Sequence, residues 1–341
     1  MADQAGLVVT GDEFANDLMA YAELWPDGLR VYNVINAGDG DDELSIGSGF
    51  DYGVQFNGEG GNDTLRGNSA SMTQIHYASG GDGDDFFADW MTGVTATLSG
   101  GTGWDTLGIS SVNALSVENL TLESIEELSL GRSIEATPEF LMQFTEINSH
   151  DDGSGDALRI TLTTGGTFTW KSAWSSVNGD LNGSDEADII NISQTKKRWE
   201  ISAGEGDDII IGGKSGDFLF GDFGNDTLLG GDGTDEINGS YGNDTINGGK
   251  GRDDLSGMDG LDTFVFTAHS GKDTLYNFEF EGTDRDKIDL SKIHGISSYR
   301  DLMRNHVEAG NDSIIIEISK KDRIYLEGTS RQDLEASAFI F

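Results

Sequence analysis

Cysteine is absent from this chain of 341 residues, proline occurs only twice, and basic side chains are few. Without cysteine there are no disulfide bonds and no thiol chemistry. The 21 basic residues face 61 acidic ones, giving a net charge of -40, and this balance argues against binding to nucleic acid phosphates. No apolar run of about 18 residues is present to form a membrane-spanning helix. The first residues also lack the basic start and apolar core of a signal peptide.

Motifs for the common catalytic mechanisms are missing as well. None of the five histidines lies within four residues of another, so there is no H-E-x-x-H zinc motif, and no G-x-S-x-G elbow occurs. We therefore predict that the protein is not an enzyme. One alternative stays open, in which acidic and tryptophan side chains form a polysaccharide site instead of solvated loops and core packing. These residues are Glu123, Glu126, Glu127, Asp151, Asp152, Asp156, Trp104, Trp170, Trp174 and Trp199.

Glycine and aspartate are abundant instead, and they repeat. From Ala203 to Val265, seven units of nine residues follow one another without insertion or deletion. Position eight of each unit is apolar, and position six is always aspartate. These aspartates are Asp208, Asp217, Asp226, Asp235, Asp244, Asp253 and Asp262. A repeat this regular predicts a solenoid, in which stacked units bury the apolar residue that one unit alone cannot bury.

The chemistry of one unit indicates calcium. Glycines at positions one, two and four allow positive φ, so that consecutive carbonyl groups can turn toward one point. The aspartate adds an anionic oxygen, and hard oxygens without histidine or cysteine suit Ca²⁺. The glycines predicted to line calcium sites are Gly204, Gly206, Gly224, Gly231, Gly233, Gly242, Gly249, Gly251 and Gly260. If one turn comprises two units, loops n and n+2 share an ion, which pairs Asp208 with Asp226 and Asp217 with Asp235.

Looser copies of the loop occur outside this stretch. Their position-six aspartates are Asp42, Asp63, Asp85, Asp105, Asp188 and Asp273. The first four are separated by 21, 22 and 20 residues, close to one turn of two units with a short insertion. We therefore predict one calcium loop per turn in this part of the chain. Glu186 and Ser215 replace the position-four glycine of their loops, and these loops are predicted to hold an ion less firmly.

The units resemble the nonapeptide of the RTX (repeats-in-toxin) family, with consensus G-G-x-G-x-D-x-U-x. This resemblance implies an all-β fold, a right-handed parallel β-roll or β-helix solenoid with Ca²⁺ between stacked turns and caps at both ends. After Val265, the strings D-T-F-V-F and D-K-I-D-L-S are similar to the C-terminal region of serralysin-like proteases and other RTX proteins. That similarity implies a C-terminal cap and an uncleaved type I secretion signal.

Five segments are predicted along the chain. They are an N-terminal cap (1–35), a first calcium-binding block (36–108), a metal-poor β-helical middle segment (109–182), a second, regular calcium-binding block (183–265), and a C-terminal cap with the secretion signal (266–341). In the cap, Asp12 followed by Phe14 and Leu18 predicts a short helix. In the middle segment, Thr137-Pro138-Glu139 predicts the start of another helix, with Phe140, Leu141 and Phe144 on its inner face.

These features predict a secreted, non-catalytic bacterial protein, extracellular or attached to the cell surface. Extracellular Ca²⁺ would fold it, because its ligands come together only in the fold. The first hypothesis is a structural, surface-layer, biofilm-matrix or adhesive subunit. The alternative is a polysaccharide-binding or polysaccharide-modifying protein that uses the middle segment. The expected partners are other copies of the chain or extracellular polysaccharide, and the type I secretion machinery during export. Nucleic acid is not expected to be a partner, and no membrane-spanning segment is predicted.

Overall fold

The computed structural model describes residues 8–10, 14, 17–20, 33–46, 54–67, 76–88, 96–109, 120–131, 133–149, 158–171, 178–280, 285–310 and 312–341. Nearly all of the regular structure in these ranges is β-strand. The chain divides into two compact units. Unit 1 comprises Met1–Ala136, Phe140–Leu158 and Ala173–Ser175, and unit 2 comprises Thr137–Glu139, Arg159–Ser172 and Ser176–Phe341.

The first part of the chain contributes fourteen strands and one short helix. They are β1 (Val8–Thr10), β2 (Asp17–Ala20), β3 (Asn33–Asp39), β4 (Glu43–Ile46), β5 (Val54–Gly60), β6 (Thr64–Arg66), β7 (His76–Asp82), β8 (Phe86–Ala88), β9 (Ala96–Thr102), β10 (Thr106–Ile109), β11 (Leu120–Glu123), β12 (Glu127–Leu130), β13 (Ser133–Ala136), α1 (Pro138–Met142) and β14 (Glu146–Ser149). The predicted helix start at Thr137-Pro138-Glu139 is confirmed by α1, and Phe140, Leu141 and Phe144 are buried.

Two parallel sheets alternate along the chain in unit 1. Their orders are β1-β3-β5-β7-β9-β11 and β14-β12-β10-β8-β6-β4-β2. Thr64 pairs with Glu43 on one side and Phe86 on the other, and Phe86 pairs with Thr106. The predicted correspondence between spacings of 21, 22 and 20 residues and one turn is therefore confirmed.

Unit 2 repeats this architecture with greater regularity. Its elements are β15 (Leu158–Leu162), β16 (Gly166–Thr169), β17 (Gly179–Asn182), β18 (Asp188–Asn191), β19 (Trp199–Ser202), β20 (Ile209–Ile211), β21 (Phe218–Phe220), β22 (Thr227–Gly233), β23 (Glu236–Tyr241), β24 (Thr245–Gly251), β25 (Asp254–Asp259), β26 (Thr263–Val265), β27 (Lys272–Tyr276), β28 (Lys287–Asp289), α2 (Tyr299–Asn305), β29 (Val307–Ala309), β30 (Ser313–Glu317), β31 (Arg323–Glu327), the 3-10 helix Ala336–Ala338 and β32 (Phe339–Ile340).

Two sheets again alternate along the chain in unit 2. One runs β16-β18-β20-β22-β24-β26-β28-β32, and the other runs β15-β17-β19-β21-β23-β25-β27-β31-β30-β29. Ile210 pairs with Leu228, Leu228 with Ile246, and Ile246 with Phe264. Each step spans two nine-residue units, so one turn comprises two units, as predicted.

The core consists of the position-eight residues stacked turn upon turn. Leu44, Leu65, Phe87 and Leu107 are fully buried in unit 1, and the corresponding side chains of unit 2 are at most 1% exposed. Burial of one such side chain stabilises a fold by about 1.5–3 kcal/mol. A narrow, repeating core of this kind places the glycine and aspartate loops at the corners of every turn.

The end of unit 2 interrupts the parallel stacking. Strand β31 is parallel to β27, whereas β30 and β29 are antiparallel to their neighbours. The Ser298 hydroxyl accepts a hydrogen bond from Asp301 N–H at 3.3 Å and caps α2. Parallel pairing continues past residue 265 through β27, β28 and β32, and the reversal of direction at β29 and β30 lies within the segment predicted as the C-terminal cap.

The helix predicted around Phe14 and Leu18 is wrong. Asp17–Ala20 forms strand β2, which is parallel to β4, and Leu18 pairs with Leu44. Pairing with an existing sheet outweighs the weak helical periodicity of this stretch, because tertiary context overrides local propensity. The middle segment, predicted as one block, contributes β11, β12 and β14 to the sheets of unit 1 and β15 to β17 to those of unit 2.

Candidate calcium-binding sites

The position-six aspartates form three columns at the corners of the two rolls. The unit 1 column contains Asp42, Asp63, Asp85 and Asp105. The first column of unit 2 contains Asp188, Asp208, Asp226, Asp244 and Asp262, and the second column contains Asp217, Asp235, Asp253 and Asp273. Every one of these aspartates is buried. The structure therefore brings together each pair of aspartates that the sequence pairs across a turn.

Hydrogen bonds join the members of each column. Oδ1 of one aspartate accepts a hydrogen bond from the backbone N–H of the aspartate one turn earlier. The N···O distance is 2.8 Å from Asp208 to Asp226 and 2.8 Å from Asp226 to Asp244. Across all three columns these distances lie between 2.7 and 3.2 Å. One carboxylate oxygen is thereby fixed, and it orients the other.

The second oxygen of most of these carboxylates is buried without a donor. Within the described residues, Oδ2 has no hydrogen-bond partner in Asp63, Asp85, Asp105, Asp208, Asp226, Asp235, Asp244, Asp253, Asp262 and Asp273. Each of these side chains is at most 1% exposed. A buried carboxylate without a partner is strongly destabilising, so each oxygen needs either a proton or a cation.

The pKa values of these aspartates also show that their charged form is unfavourable in the calcium-free fold. The pKa is raised to about 6 for Asp63, Asp208, Asp244 and Asp253, to about 7 for Asp85, Asp226 and Asp235, and to about 8 for Asp273. Loss of hydration on burial is the main cause of the raised pKa values, and repulsion between neighbouring carboxylates adds to it. The hydrogen bond from the preceding turn opposes both effects. A divalent cation between the turns removes both the desolvation penalty and the repulsion.

Glycine at position one leaves a cradle beside most of the unpaired oxygens, whereas Ala203 and Ala268 stand at this position in the loops of Asp208 and Asp273. A Cβ on Gly221 would lie 2.4 Å from Asp226 Oδ2 and 2.6 Å from the Gly239 carbonyl oxygen of the next turn. A Cβ on Gly239 would lie 2.2 Å from Asp244 Oδ2 and 2.8 Å from the carbonyl oxygen of Gly257. Acceptors from two successive turns therefore converge on one small space.

The donor set of these cradles fits calcium. Among the described residues, no three side chains of the types His, Cys, Asp and Glu converge as a metal centre. Most ligands must then be backbone carbonyls, with one or two carboxylates from the columns. Ca²⁺ accepts six to eight oxygen ligands in a flexible shell, and it tolerates such a mixture. Asp226 with Gly239, and Asp244 with Gly257, are the residues that would hold an ion in these two gaps.

The predicted glycines have the backbone geometry that the cradles require. All of the glycines selected from the sequence have φ between 92° and 152°. Position two has the same conformation in several loops that lack glycine there, namely at Glu59, Asp222, Ser240 and Met258. The carbonyl arrangement is therefore imposed by the stacking of turns, and glycine at position two favours it without being essential.

Two predicted ligands lie in loops with a different geometry. Asp188 Oδ2 accepts hydrogen bonds from Ser184 N–H at 2.8 Å and Ser184 Oγ at 3.0 Å. Asp217 Oδ2 accepts one from Gly213 N–H at 2.8 Å. No residue of the loops 183–188 and 212–217 has φ in the left-handed region. These are the loops in which Glu186 and Ser215 replace glycine at position four. Both oxygens of each carboxylate accept hydrogen bonds from the protein, although burial still raises the pKa of Asp188 and Asp217.

The loop 268–273 has an irregular sequence but a backbone like that of the regular calcium loops. Its sequence, AHSGKD, departs furthest from the repeat, yet His269 has a φ of 74° and Gly271 a φ of 101°. A Cβ on Gly271 would lie 1.9 Å from the Gly251 carbonyl oxygen, so the two turns approach closely here. This loop thus shares the left-handed positions two and four and the unpaired aspartate Oδ2 with the regular calcium loops, although Ala268 replaces glycine at position one.

The carboxylates that terminate the columns were not identified from the sequence. Asp262 N–H donates to Asp286 Oδ1 at 3.1 Å, and Asp286 Oδ2 accepts a hydrogen bond from Glu279 N–H at 2.8 Å. In unit 1, Asp105 N–H donates to Glu126 Oε2 at 3.0 Å. Neither terminal residue sits in a glycine-rich loop, so the sequence carries no local signal for its position.

A second, exposed ladder runs beside the columns at position five. Asn225 N–H donates to Asp207 Oδ1 at 2.8 Å, and Asn243 N–H donates to Asn225 Oδ1 at 3.0 Å. Unit 1 has the same ladder, in which Asn62 N–H donates to Asp41 Oδ1 at 2.8 Å. The recurrence of Asp or Asn at position five was a visible signal for it. This ladder supports the loop backbone that forms the cradles.

The fold and the cradles define the class of the protein, a parallel β-roll that binds calcium between its turns. Comparison with known families agrees. The family model for the RTX calcium-binding nonapeptide repeat matches four times, at residues 32–52, 55–70, 200–228 and 229–264. The chain thus carries RTX repeats, and it binds several calcium ions between turns.

Comparisons with individual proteins are less informative. No curated protein sequence matches the chain. Among solved structures, the extracellular lipase LipA from Serratia marcescens is similar, with 16% sequence identity and a TM-score of 0.29. The match covers 91% of this chain and 45% of the lipase, so this chain spans less than half of that protein. A TM-score of this size is too low to transfer an activity.

Proposed function

We propose that this protein is a secreted, non-catalytic β-roll protein whose rolls are folded by extracellular Ca²⁺ and serve as a structural, surface-layer, biofilm-matrix or adhesive subunit. The observation that carries the proposal is the set of buried, donor-free Oδ2 atoms stacked in columns. Without cations these carboxylates must be protonated or their loops must open. Metal binding and folding are then one process.

The charge of the chain supports an extracellular site of action. A net charge of -40 opposes compaction by self-repulsion unless cations neutralise it. Calcium sites of extracellular modules have dissociation constants of about 10⁻⁴–10⁻³ M, so they fill outside the cell and stay empty inside it. Under this proposal the chain crosses the type I secretion machinery unfolded and folds after export.

The outer surface of the rolls supports a role in assembly. Exposed carboxylates such as Asp41, Asp84 and Asp207 line the position-five ladders, and calcium can bridge such surfaces on two copies of the chain. No helix in the described ranges is long and apolar enough to cross a membrane. Other copies of the chain are the partners that such calcium bridging favours, and extracellular polysaccharide is the alternative.

The middle segment gives limited support to the polysaccharide alternative. Trp170 and Trp199 are buried and pack edge to face with ring centroids 4.7 Å apart, so they belong to the core. Glu127 accepts a hydrogen bond from Trp104 Nε1 at 3.1 Å. Asp151, Asp152, Asp156 and Trp174 lie outside the described residues. Trp104, which is 41% exposed, is the candidate that a sugar could reach.

Calcium titration of the purified chain tests the proposal. Circular dichroism should change from a disordered to a β-rich spectrum as calcium reaches the millimolar range, and chelation should reverse the change. Light scattering and electron microscopy on the same samples should then show calcium-dependent ordered polymers. A β-rich spectrum that chelation leaves unchanged contradicts calcium-driven folding. A calcium-folded monomer that retains or depolymerises polysaccharide contradicts the structural role.

A further inference from the structure

We propose that Asp105, Ser124 and Glu126 form an additional calcium site at the end of the unit 1 column, with Glu126 in the place of the next aspartate. The inference rests on the calcium-dependent folding proposed above. Residues 120–127 contain no glycine, and the RTX family model does not match them. Nothing in the repeat pattern therefore predicts an ion here.

The first observation is an unpaired, fully buried oxygen that faces this gap. Asp105 is 0% exposed, its Oδ1 accepts a hydrogen bond from Asp85 N–H at 2.9 Å, and its Oδ2 has no donor. A Cβ on Gly100 would lie 2.1 Å from Asp105 Oδ2 and 2.0 Å from the Ser124 carbonyl oxygen. The oxygen and the carbonyl thus converge on the space that Gly100 leaves open.

The same arrangement recurs in a regular gap of unit 1. A Cβ on Gly58 would lie 2.0 Å from Asp63 Oδ2 and 2.2 Å from the Gly80 carbonyl oxygen. In both gaps, one acceptor is the aspartate Oδ2 of one turn. The other is the carbonyl oxygen of the residue at position one of the following turn, which is Gly80 in the regular gap and Ser124 in the gap beyond Asp105. The gap beyond Asp105 is therefore built like the gaps that the repeat pattern predicts to hold calcium.

The strand register places Glu126 at position six of the following turn. Thr106 pairs with Glu127, and Glu127 N–H donates to the Asp105 carbonyl oxygen at 3.0 Å. Thr106 N–H makes the equivalent hydrogen bond to the Asp85 carbonyl oxygen at 2.8 Å. Glu126 thus stands one turn after Asp105, and its Oε2 accepts the Asp105 N–H at 3.0 Å, as an aspartate does in the rest of the column.

A change in loop length explains why a glutamate stands there. Ser99 pairs with Glu123, so Ser124 aligns with Gly100 and the following loop is shortened to Ser124-Ile125-Glu126. Ser124 takes a left-handed φ of 51°, which the position-one glycines do not, and its carbonyl oxygen still lies beside the space that Gly100 leaves open. From this shorter loop, the glutamate side chain brings its carboxylate within 3.0 Å of the Asp105 backbone nitrogen. The cradle therefore keeps two carboxylates and at least one carbonyl, which are hard oxygens suited to Ca²⁺.

The first column of unit 2 ends in a comparable step. Asp262 N–H donates to Asp286 Oδ1 at 3.1 Å, as Asp105 N–H donates to Glu126 Oε2, and the Oδ2 atoms of Asp262 and Asp105 are both without a donor. The last carboxylate differs, because Asp286 Oδ2 accepts a hydrogen bond from Glu279 N–H at 2.8 Å. At the end of the unit 1 column, the donor-free Oδ2 of Asp105 lies beside the Ser124 carbonyl oxygen, and a cation satisfies both oxygens.

The test compares Glu126→Gln with Glu123→Gln in the full chain. Glutamine keeps an oxygen that can accept the Asp105 N–H, so the column stays hydrogen-bonded and only the charge is lost. Glu123 is an exposed carboxylate three residues earlier and serves as the matched control. Bound calcium is measured by equilibrium dialysis and atomic emission, and circular dichroism verifies that each variant folds in calcium.

We expect Glu126→Gln to bind about one ion fewer per chain than the wild type, and Glu123→Gln to bind the full number. Terbium luminescence sensitised by Trp104, the neighbour of Asp105, should fall in Glu126→Gln, and Trp104→Phe identifies the Trp104 contribution. Equal ion numbers and equal luminescence in the wild type, Glu126→Gln and Glu123→Gln overturn the proposed site while leaving calcium-dependent folding intact. If the wild-type chain binds no calcium at all, the proposed function fails instead.

Discussion

Asp226→Asn is expected to change stability in opposite directions with and without calcium. Asparagine keeps an oxygen that accepts the Asp208 N–H, now 2.8 Å from Oδ1, and it places an amide group where the unpaired Oδ2 faces the Gly239 carbonyl. The variant therefore loses the anionic ligand but gains a donor inside the cradle. Without calcium, the new amide donor stabilises the fold. With calcium, the missing negative charge weakens ion binding and destabilises it.

The magnitude follows from the raised pKa. A pKa of about 7 in place of 3.8 means that keeping Asp226 ionised at pH 8 destabilises the calcium-free fold by at most about 4 kcal/mol. Residual solvent screening reduces this to roughly 1–3 kcal/mol, which is the stabilisation expected for the calcium-free variant. At a calcium concentration one thousand times the dissociation constant, loss of one site removes about 4.1 kcal/mol. This loss exceeds the gain of roughly 1–3 kcal/mol, so the variant should be less stable than the wild type in excess calcium by about 1–3 kcal/mol.

Urea unfolding at pH 8, followed by circular dichroism, measures both values in metal-free buffer and in excess calcium. Asp217→Asn is the matched control, because Asp217 Oδ2 already accepts a hydrogen bond from Gly213 N–H. An asparagine NH₂ group at this place would point one donor at another. Burial raises the pKa of Asp217 to about 6 and two backbone N–H groups lower it, and these effects act with and without calcium; the control should therefore change stability by the same amount under both conditions. The reasoning is refuted if Asp226→Asn destabilises the protein equally with and without calcium. If metal-free protein is too unfolded at pH 8, the comparison is made at the lowest calcium concentration that supports a transition.

Two further predictions concern protons and space in the cradles. Burial raises the pKa of the column aspartates to between about 6 and 8, so the folded chain binds more protons than the unfolded chain. The calcium-free fold should therefore be most stable below pH 4 and lose stability as pH rises through 6 to 8. Calcium affinity should instead fall as pH drops through the same range, because protons compete with the ion for the carboxylates. Circular dichroism of metal-free protein at pH 5 and pH 8 tests the sign, and greater order at pH 8 would contradict it. Gly239→Ala should lower bound calcium by about one ion, because its Cβ would lie 2.2 Å from Asp244 Oδ2, and an unchanged ion number in equilibrium dialysis would exclude this cradle as a site.

The nine-residue period was sufficient to predict much of the fold. Asp226 and Leu228 recur at fixed positions, and such a period allows only stacked turns in which the leucine is inside and the aspartate at a corner. The pairing of Ile210 with Leu228 one turn later follows from that arithmetic. The glycines at positions two and four indicated which carbonyls turn inward, because few other residues favour positive φ.

Only the tertiary structure decided which loops have the geometry of a metal site. The loop 212–217 begins with two glycines, yet its aspartate accepts a hydrogen bond from its own backbone, whereas the irregular loop 268–273 keeps Asp273 Oδ2 free of donors. The difference depends on the φ angles of the whole loop and on the turn stacked against it. Glu126 shows the same limit, since its role depends on Asp105 one turn earlier. The sequence by itself determined the repeat, the core and the kind of ion, because these depend on composition and period. The state of each carboxylate depended on contacts made across a turn, which only the folded roll creates.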